Sequence, residues 1–204
     1  MRVNRTFALL PLALLAGCVA PVGPVEVTRF HVPDTAALGH GTIAVEAAPG
    51  MDPASLELRS YAAAVGQALQ RIGYNEAVAG SGTQIAEVRI ARRSFRPERN
   101  GNPVSVGVGG STGSYGSGVG LGLGFDLSGR PPEMTETELG VMIRDRATRA
   151  TLWEGRAAFT VRADSPLATT QLGAAQLASA LFRDFPGRSG ETVQIKPDAV
   201  PAAK

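Results

Sequence analysis

The chain lacks a second cysteine, a second long apolar run, and any triplet period in its glycines. With one Cys in 204 residues, no disulfide framework can form within the chain. Its 25 glycines follow no Gly-X-Y pattern, which excludes a collagen-like helix. The only long apolar run is N-terminal, so a polytopic membrane protein is excluded. Disorder is also excluded, because the chain is 44% hydrophobic and has a net charge of only +2.

The N-terminus is an address label. Arg2 and Arg5 precede an apolar stretch from Phe7 to Leu15, too short to span a bilayer, which needs about 20 apolar residues. This is the pattern of an export signal, set apart from the folded protein. It ends in Leu15-Ala16-Gly17-Cys18, which resembles the bacterial lipobox. Cleavage is expected between Gly17 and Cys18, with lipid joined to the Cys18 thiol, since a thiolate is the nucleophile this chemistry needs. Several acyl chains at one residue would hold a protein firmly where a single chain holds only marginally. The non-acidic Val19 implies, by the same resemblance, sorting to the outer membrane, with the protein on its periplasmic face.

Loss of residues 1–17 removes two arginines and no acid, leaving 18 basic and 18 acidic residues. The high isoelectric point of the whole chain is therefore no sign of nucleic-acid binding. Arg89, Arg92, Arg93, Arg96 and Arg99 cluster locally and read as a solvated face.

The organisation expected is a signal peptide over 1–17, a tether over 18–24, one domain over 25–196 and a flexible tail over 197–204. Two prolines and a glycine stiffen the tether. The first helix is expected from Pro53 to Ile72, capped by Asp52, with Leu58, Tyr61, Val65, Leu69 and Ile72 on one face. The second is expected from Pro166 to Phe185, capped by Ser165 or Asp164 and stopped by Pro186-Gly187. Elsewhere apolar residues alternate at period two: over Val25–Val32, Thr42–Ala47, Ala86–Ile90, Leu139–Ile143 and Trp153–Val161. The last two flank a polar connection at Asp145–Ala150 and read as an antiparallel hairpin. The fold class expected is α+β: an antiparallel sheet with two helices packed on one face, plus a glycine-rich β-hairpin. Trp153 is expected in the core or on a sheet face.

That hairpin is expected over residues 101–129, which hold 11 of the 25 glycines. Val104, Val106 and Val108, then Val119, Leu121, Leu123, Phe125 and Leu127, alternate with glycine and polar residues. No phosphate-binding or dinucleotide glycine fingerprint fits. Gly109-Gly-Ser111-Thr-Gly113 matches Gly-x-Ser-x-Gly, but no helix follows it and both histidines precede it, against a hydrolase elbow. His31 and His40 lie near Asp34 without a third ligand at zinc spacing, so no metal is expected. Glu136 and Glu138 share a strand side and read as a solvated face. No catalytic residue and no cofactor are expected.

The order of segments resembles a family of Gram-negative lipoproteins known as domain of unknown function four-one-three-six. The resemblance rests on the lipobox, Val27-Thr-Arg-Phe30-His, Leu69-Gln-Arg-Ile-Gly-Tyr74, Leu152-Trp-Glu-Gly155 and Leu181-Phe-Arg-Asp-Phe-Pro-Gly187. The glycine hairpin is similar to that of alphaproteobacterial members. Where the family often has an Ala-Asp pair, this chain has Ala86-Glu87. The resemblance implies an α+β fold and an envelope location, and no activity. Because no catalytic pattern fits, the expected function is a non-enzymatic binding or scaffolding role at the outer membrane. The expected partners are the membrane, through the N-terminal lipid, and envelope proteins or further copies of the chain. The alternatives are an oligomeric or pore-forming assembly using the hairpin, and an envelope enzyme whose site follows no motif.

Overall fold

The computed structural model describes residues 23–98, 104–113, 116–125 and 131–197. Cys18, the lipobox and most of the 197–204 tail lie outside them. In chain order the elements are β1 (Val25–His31), β2 (Thr42–Ala47), α1 (Leu56–Arg71), β3 (Asn75–Ala77), β4 (Gln84–Phe95), β5 (Val104–Gly113), β6 (Gly116–Phe125), β7 (Met134–Asp145), β8 (Thr151–Arg162), α2 (Thr170–Leu181) and β9 (Glu191–Ile195).

Seven strands form one sheet in the order β3-β2-β4-β7-β8-β1-β9. Its fold class is α+β, but the sheet is mixed, which corrects the expectation of an antiparallel sheet. β2 runs parallel to both β3 and β4, whereas β4, β7, β8, β1 and β9 pair antiparallel in turn. The physical reason is the connection. α1 carries the chain from the end of β2 back to its start, so the next strand must run the same way. Period-two alternation marks which residues share a face; it carries no information on strand direction.

The helices cover the face bearing Val27, Val88, Val141, Ala157 and Phe159, which join Leu58, Tyr61, Val65, Leu69, Leu177 and Leu181 in one buried core. α1 begins later than expected. Asp52 accepts from the Ala54 N–H at 2.9 Å and closes a turn, while Ser55 caps the helix by accepting from Leu58 N–H at 3.3 Å. The second helical segment is split. Ser165 caps a single 3₁₀ turn over Pro166–Ala168, and the α-helix proper ends at Leu181, with Phe182 as its C-cap. Phe185 lies past the helix.

β5 and β6 make a separate two-stranded antiparallel ribbon between β4 and β7 in the chain.

Candidate functional site

The four described segments that carry the family resemblance converge on one buried knot at the C-terminal end of α2. Trp153 is fully buried. It stacks on Phe182, with ring centroids 5.4 Å apart and planes at 20°, and meets Phe185 at 5.3 Å. Tyr74 closes the cluster edge-on to Phe185. The indole N–H donates to the Pro186 carbonyl at 3.0 Å, so the one polar atom of the ring is satisfied. Gly155 is required beside it: a Cβ there would fall 2.3 Å from the Trp153 ring and 2.9 Å from Leu181.

Arg29 completes the knot. It occupies an apolar phase of β1, after Val25 and Val27, and is 5% exposed. Its guanidinium donates to the Leu181 and Ala180 carbonyls, each at 3.0 Å. Both are among the last carbonyls of the helix, which lack i+4 partners within it; Ala180 also accepts from Arg183 N–H at 3.3 Å, and a cation there suits the helix dipole. Burial pushes the Arg29 guanidinium below its ordinary pKa, while Asp184 and Glu191 act the other way. Gly187 has φ +80° and lies against the guanidinium, where a Cβ would come within 2.8 Å of it. Sequence reasoning quoted Arg29 without giving it a role; the signal was a charge in phase with two buried valines. The shared residues of this segment order thus build a core.

The other residues singled out in the sequence do not converge. His31 contacts the Val32 and Gly187 carbonyls through its ring nitrogens, His40 contacts the Leu38 carbonyl, and Asp34 accepts from Ala36 N–H. Among the described residues no group of three or more His, Cys, Asp or Glu is placed to hold a metal. Arg92 pairs with Glu57, Arg93 with Glu136 and Arg96 with Glu133. Arg99 lies outside the described residues. Ser111 sits in β5 opposite Gly118, on an extended strand, where a nucleophile elbow would need a turn into a helix.

The exposed chemistry lies on the helix-free face of the sheet. Arg89, Gly140 and Arg156 are register partners across β4, β7 and β8. The next row holds Glu87, Met142 and Glu154. A Cβ on Gly140 would meet the Arg89 stem at 2.8 Å, so the bare glycine lets that side chain lie down across the sheet. Glu87 pairs with Arg144 at 3.3 Å and Glu154 with Arg156 at 3.4 Å, while Arg89 has no ion pair among the described residues. Together with Ala48 and Pro49 these rows line a shallow concavity of about 140 Å³. That is smaller than the roughly 300–1,000 Å³ of small-molecule pockets. Arg89, Arg144 and Arg156 line it and could receive a carboxylate or phosphate, and the adjacent Glu87 and Glu154 restrain such binding.

A second, open groove of about 540 Å³ runs beside β2, between Val45, Ala47 and Met51 on one side and Leu58 and Ala62 of α1 on the other. It exists because β3 is short: its ladder ends at Ala44 opposite Ala77. The groove's end is pinned by Glu46, which accepts from Arg146 at 2.7 Å and from Gly80 N–H at 3.0 Å. The hydrogen bond from Arg146 holds the Glu46 carboxyl below its ordinary value of 4.5. A carboxylate lowered on folding stabilises the fold above the unfolded value and loses that contribution as pH falls through the folded one. Glu46→Gln should therefore cost about 1 kcal/mol at neutral pH. The difference from the parent should shrink as the pH drops from about 4.5 toward 2, as measured by urea midpoints across that range.

The family model described as "Domain of unknown function (DUF4136)" matches residues 32–187. An uncharacterized protein of Zymomonas mobilis subsp. mobilis is 29% identical over 225 residues, covering 85% of this chain and 80% of that one. Among solved structures, a PDZ domain protein from Parabacteroides distasonis is similar at 11% identity and a TM-score of 0.49. The match covers 85% of this chain, which spans only 39% of that one. A chain of the PelC dodecamer from Paraburkholderia phytofirmans is similar at 13% identity and a TM-score of 0.43, over 81% of this chain and 99% of that one.

Proposed function

This chain belongs to the DUF4136 family, and we propose that it is a lipid-anchored protein on the periplasmic face of the bacterial outer membrane that acts by binding or scaffolding. The observation that carries this reading is the single cysteine of the chain, Cys18, at the one position where the Leu15-Ala16-Gly17-Cys18 pattern needs it. Two further features support it. The residues shared with the resemblance are spent on a buried knot around Trp153 and Arg29. The surface offers a mixed-charge sheet face and an open groove beside β2, both suited to a macromolecular partner.

Cys18→Ser tests the anchor. The variant should accumulate as precursor, take up no radiolabelled palmitate, and leave the membrane fraction after the signal is removed artificially. Processing and fractionation like the parent would refute the anchor. The binding role is tested by placing photo-crosslinkers at Arg89 and Val78 in intact cells. Discrete crosslinked species are expected; their absence from both positions in a lipidated protein would count against it.

A second reading is an assembly built through the glycine-rich ribbon. It is favoured by the β5–β6 register, which pairs Val106 with Leu123 and Val108 with Leu121, gathering apolar residues on one side.

A further inference from the structure

The start of β1 and the attachment of the glycine-rich ribbon lie at the same end of the sheet. Glu26 is level with Ala158, Ala158 with Glu138, and Glu138 with Ala91. From there β1 runs away from the last β4–β7 pair, Phe95 opposite Met134. The strand therefore starts on the side of that pair, which lies four residues, or about 13 Å, from the Glu26 level along the strands. β5 and β6 are inserted in the chain between Phe95 and Met134.

Covalent geometry sets the distances. The seven-residue step from Cys18 to Val25 can span at most about 25 Å. Each ribbon strand has 10 residues, about 33 Å of extended chain. If Cys18 carries lipid, this end of the sheet is held within reach of the bilayer, and the ribbon is long enough to touch it.

The composition of the ribbon fits that surface. No Asp, Glu, Lys or Arg occurs from Gly101 through Phe125, in a chain that is 19% charged. The register opposes Val104 to Phe125, Val106 to Leu123 and Val108 to Leu121, so strand alternation puts all six on one face. The intervening pairs, Ser105 with Gly124, Gly107 with Gly122 and Gly109 with Gly120, form the other face. An apolar face of this size is not left in water without a partner.

We propose that the β5–β6 ribbon is a second membrane attachment, lying in the interface of the bilayer that holds the lipid anchor, with its Val/Leu/Phe face toward the acyl chains. This rests on the anchored reading above. The ribbon lies in the interface because two strands have unpaired outer edges, and unpaired backbone groups are not tolerated in the hydrocarbon core. At the interface, water and headgroups satisfy those edges. Two attachments at one end hold the opposite end of the sheet, with the Asp145–Thr148 turn, away from the membrane.

The test uses the full mature chain with vesicles of phosphatidylethanolamine and phosphatidylglycerol at about 3:1, their acyl chains brominated to quench tryptophan. Trp153, fully buried, serves as the constant reference and reports that the domain is folded. Leu121→Trp adds a probe on the apolar face, and Ser105→Trp one on the opposite face. The expected result is at least a two-fold stronger quenching for Leu121→Trp than for Ser105→Trp, with a blue-shifted emission. Equal quenching of the two, or none, overturns the proposal. Absence of quenching together with a concentration-dependent oligomer on sizing assigns the apolar face to a second copy instead, which also overturns it. Mass analysis of the N-terminal peptide reports lipidation separately. A lipidated chain with an unquenched probe sinks the ribbon proposal alone. An unlipidated chain with a quenched probe sinks the anchor and leaves the ribbon bound to membrane.

Discussion

Trp153→Ala should destabilise the domain by about 4 kcal/mol, the range for deleting a large aromatic from a core. For a domain of this size that is on the order of 8–16 °C in Tm. The magnitude follows from what the ring touches. Phe182 and Phe185 lose their stacking partner, Leu181 loses a wall, and the half-buried Pro186 carbonyl loses its donor. Trp153→Phe should recover part of the packing but leave that carbonyl unpaired, an intermediate loss. Gly155→Val attacks the same place from the opposite direction. A Cβ 2.3 Å from the indole cannot be accommodated without moving the ring, and overpacking of this kind costs about 3 kcal/mol. Thermal and urea melts of the four proteins, the parent included, would check the order: parent, Trp153→Phe, Gly155→Val, Trp153→Ala. A Trp153→Ala melt within about 1 kcal/mol of the parent would show that the aromatic cluster does not organise the fold.

Arg29→Met should have the second-largest effect. Methionine keeps much of the stem volume but removes both donors to the end of α2. Leu181 loses its side-chain donor, while Ala180 keeps the Arg183 N–H at 3.3 Å, so a loss of about 3 kcal/mol is expected from one deprived carbonyl and one further lost charge-assisted hydrogen bond. Arg29→Lys distinguishes charge from geometry. An ammonium is a point donor on a flexible stem and cannot reproduce the fixed fork that spans two successive carbonyls. It should recover less than half of the loss. Hydrogen exchange gives an independent readout: in Arg29→Met the amides of the last turn of α2 should exchange faster than those of α1. Uniform acceleration across both helices would mean that Arg29 acts only through global stability.

These two residues show how far the sequence could be read. Trp153 was legible, because a large aromatic in phase with Gly155, Ala157 and Phe159 on an alternating strand has only one buried face to occupy. Arg29 was not. Its phase pointed inward and its charge pointed outward, and only α2, arriving from about 150 residues later in the chain, resolves the conflict with two carbonyls. Gly140 was silent for the same reason: its role is to let Arg89 cross the sheet, a relation between β4 and β7.

The sequence by itself determined the amphipathic faces of α1, the alternating strands, the turn at Asp145 and the lipobox-like end of the first segment, because these depend on neighbours a few residues apart. The tertiary structure alone decided strand direction, the short β3 and the groove it leaves, and the convergence of four distant segments on Trp153 and Arg29. It also decided which end of the sheet receives both the N-terminal tether and the ribbon. Those features depend on which segments pack together, and a period-two pattern is the same whether its neighbour runs parallel or antiparallel. The path of the backbone through α1 settles that choice, and no single strand records it.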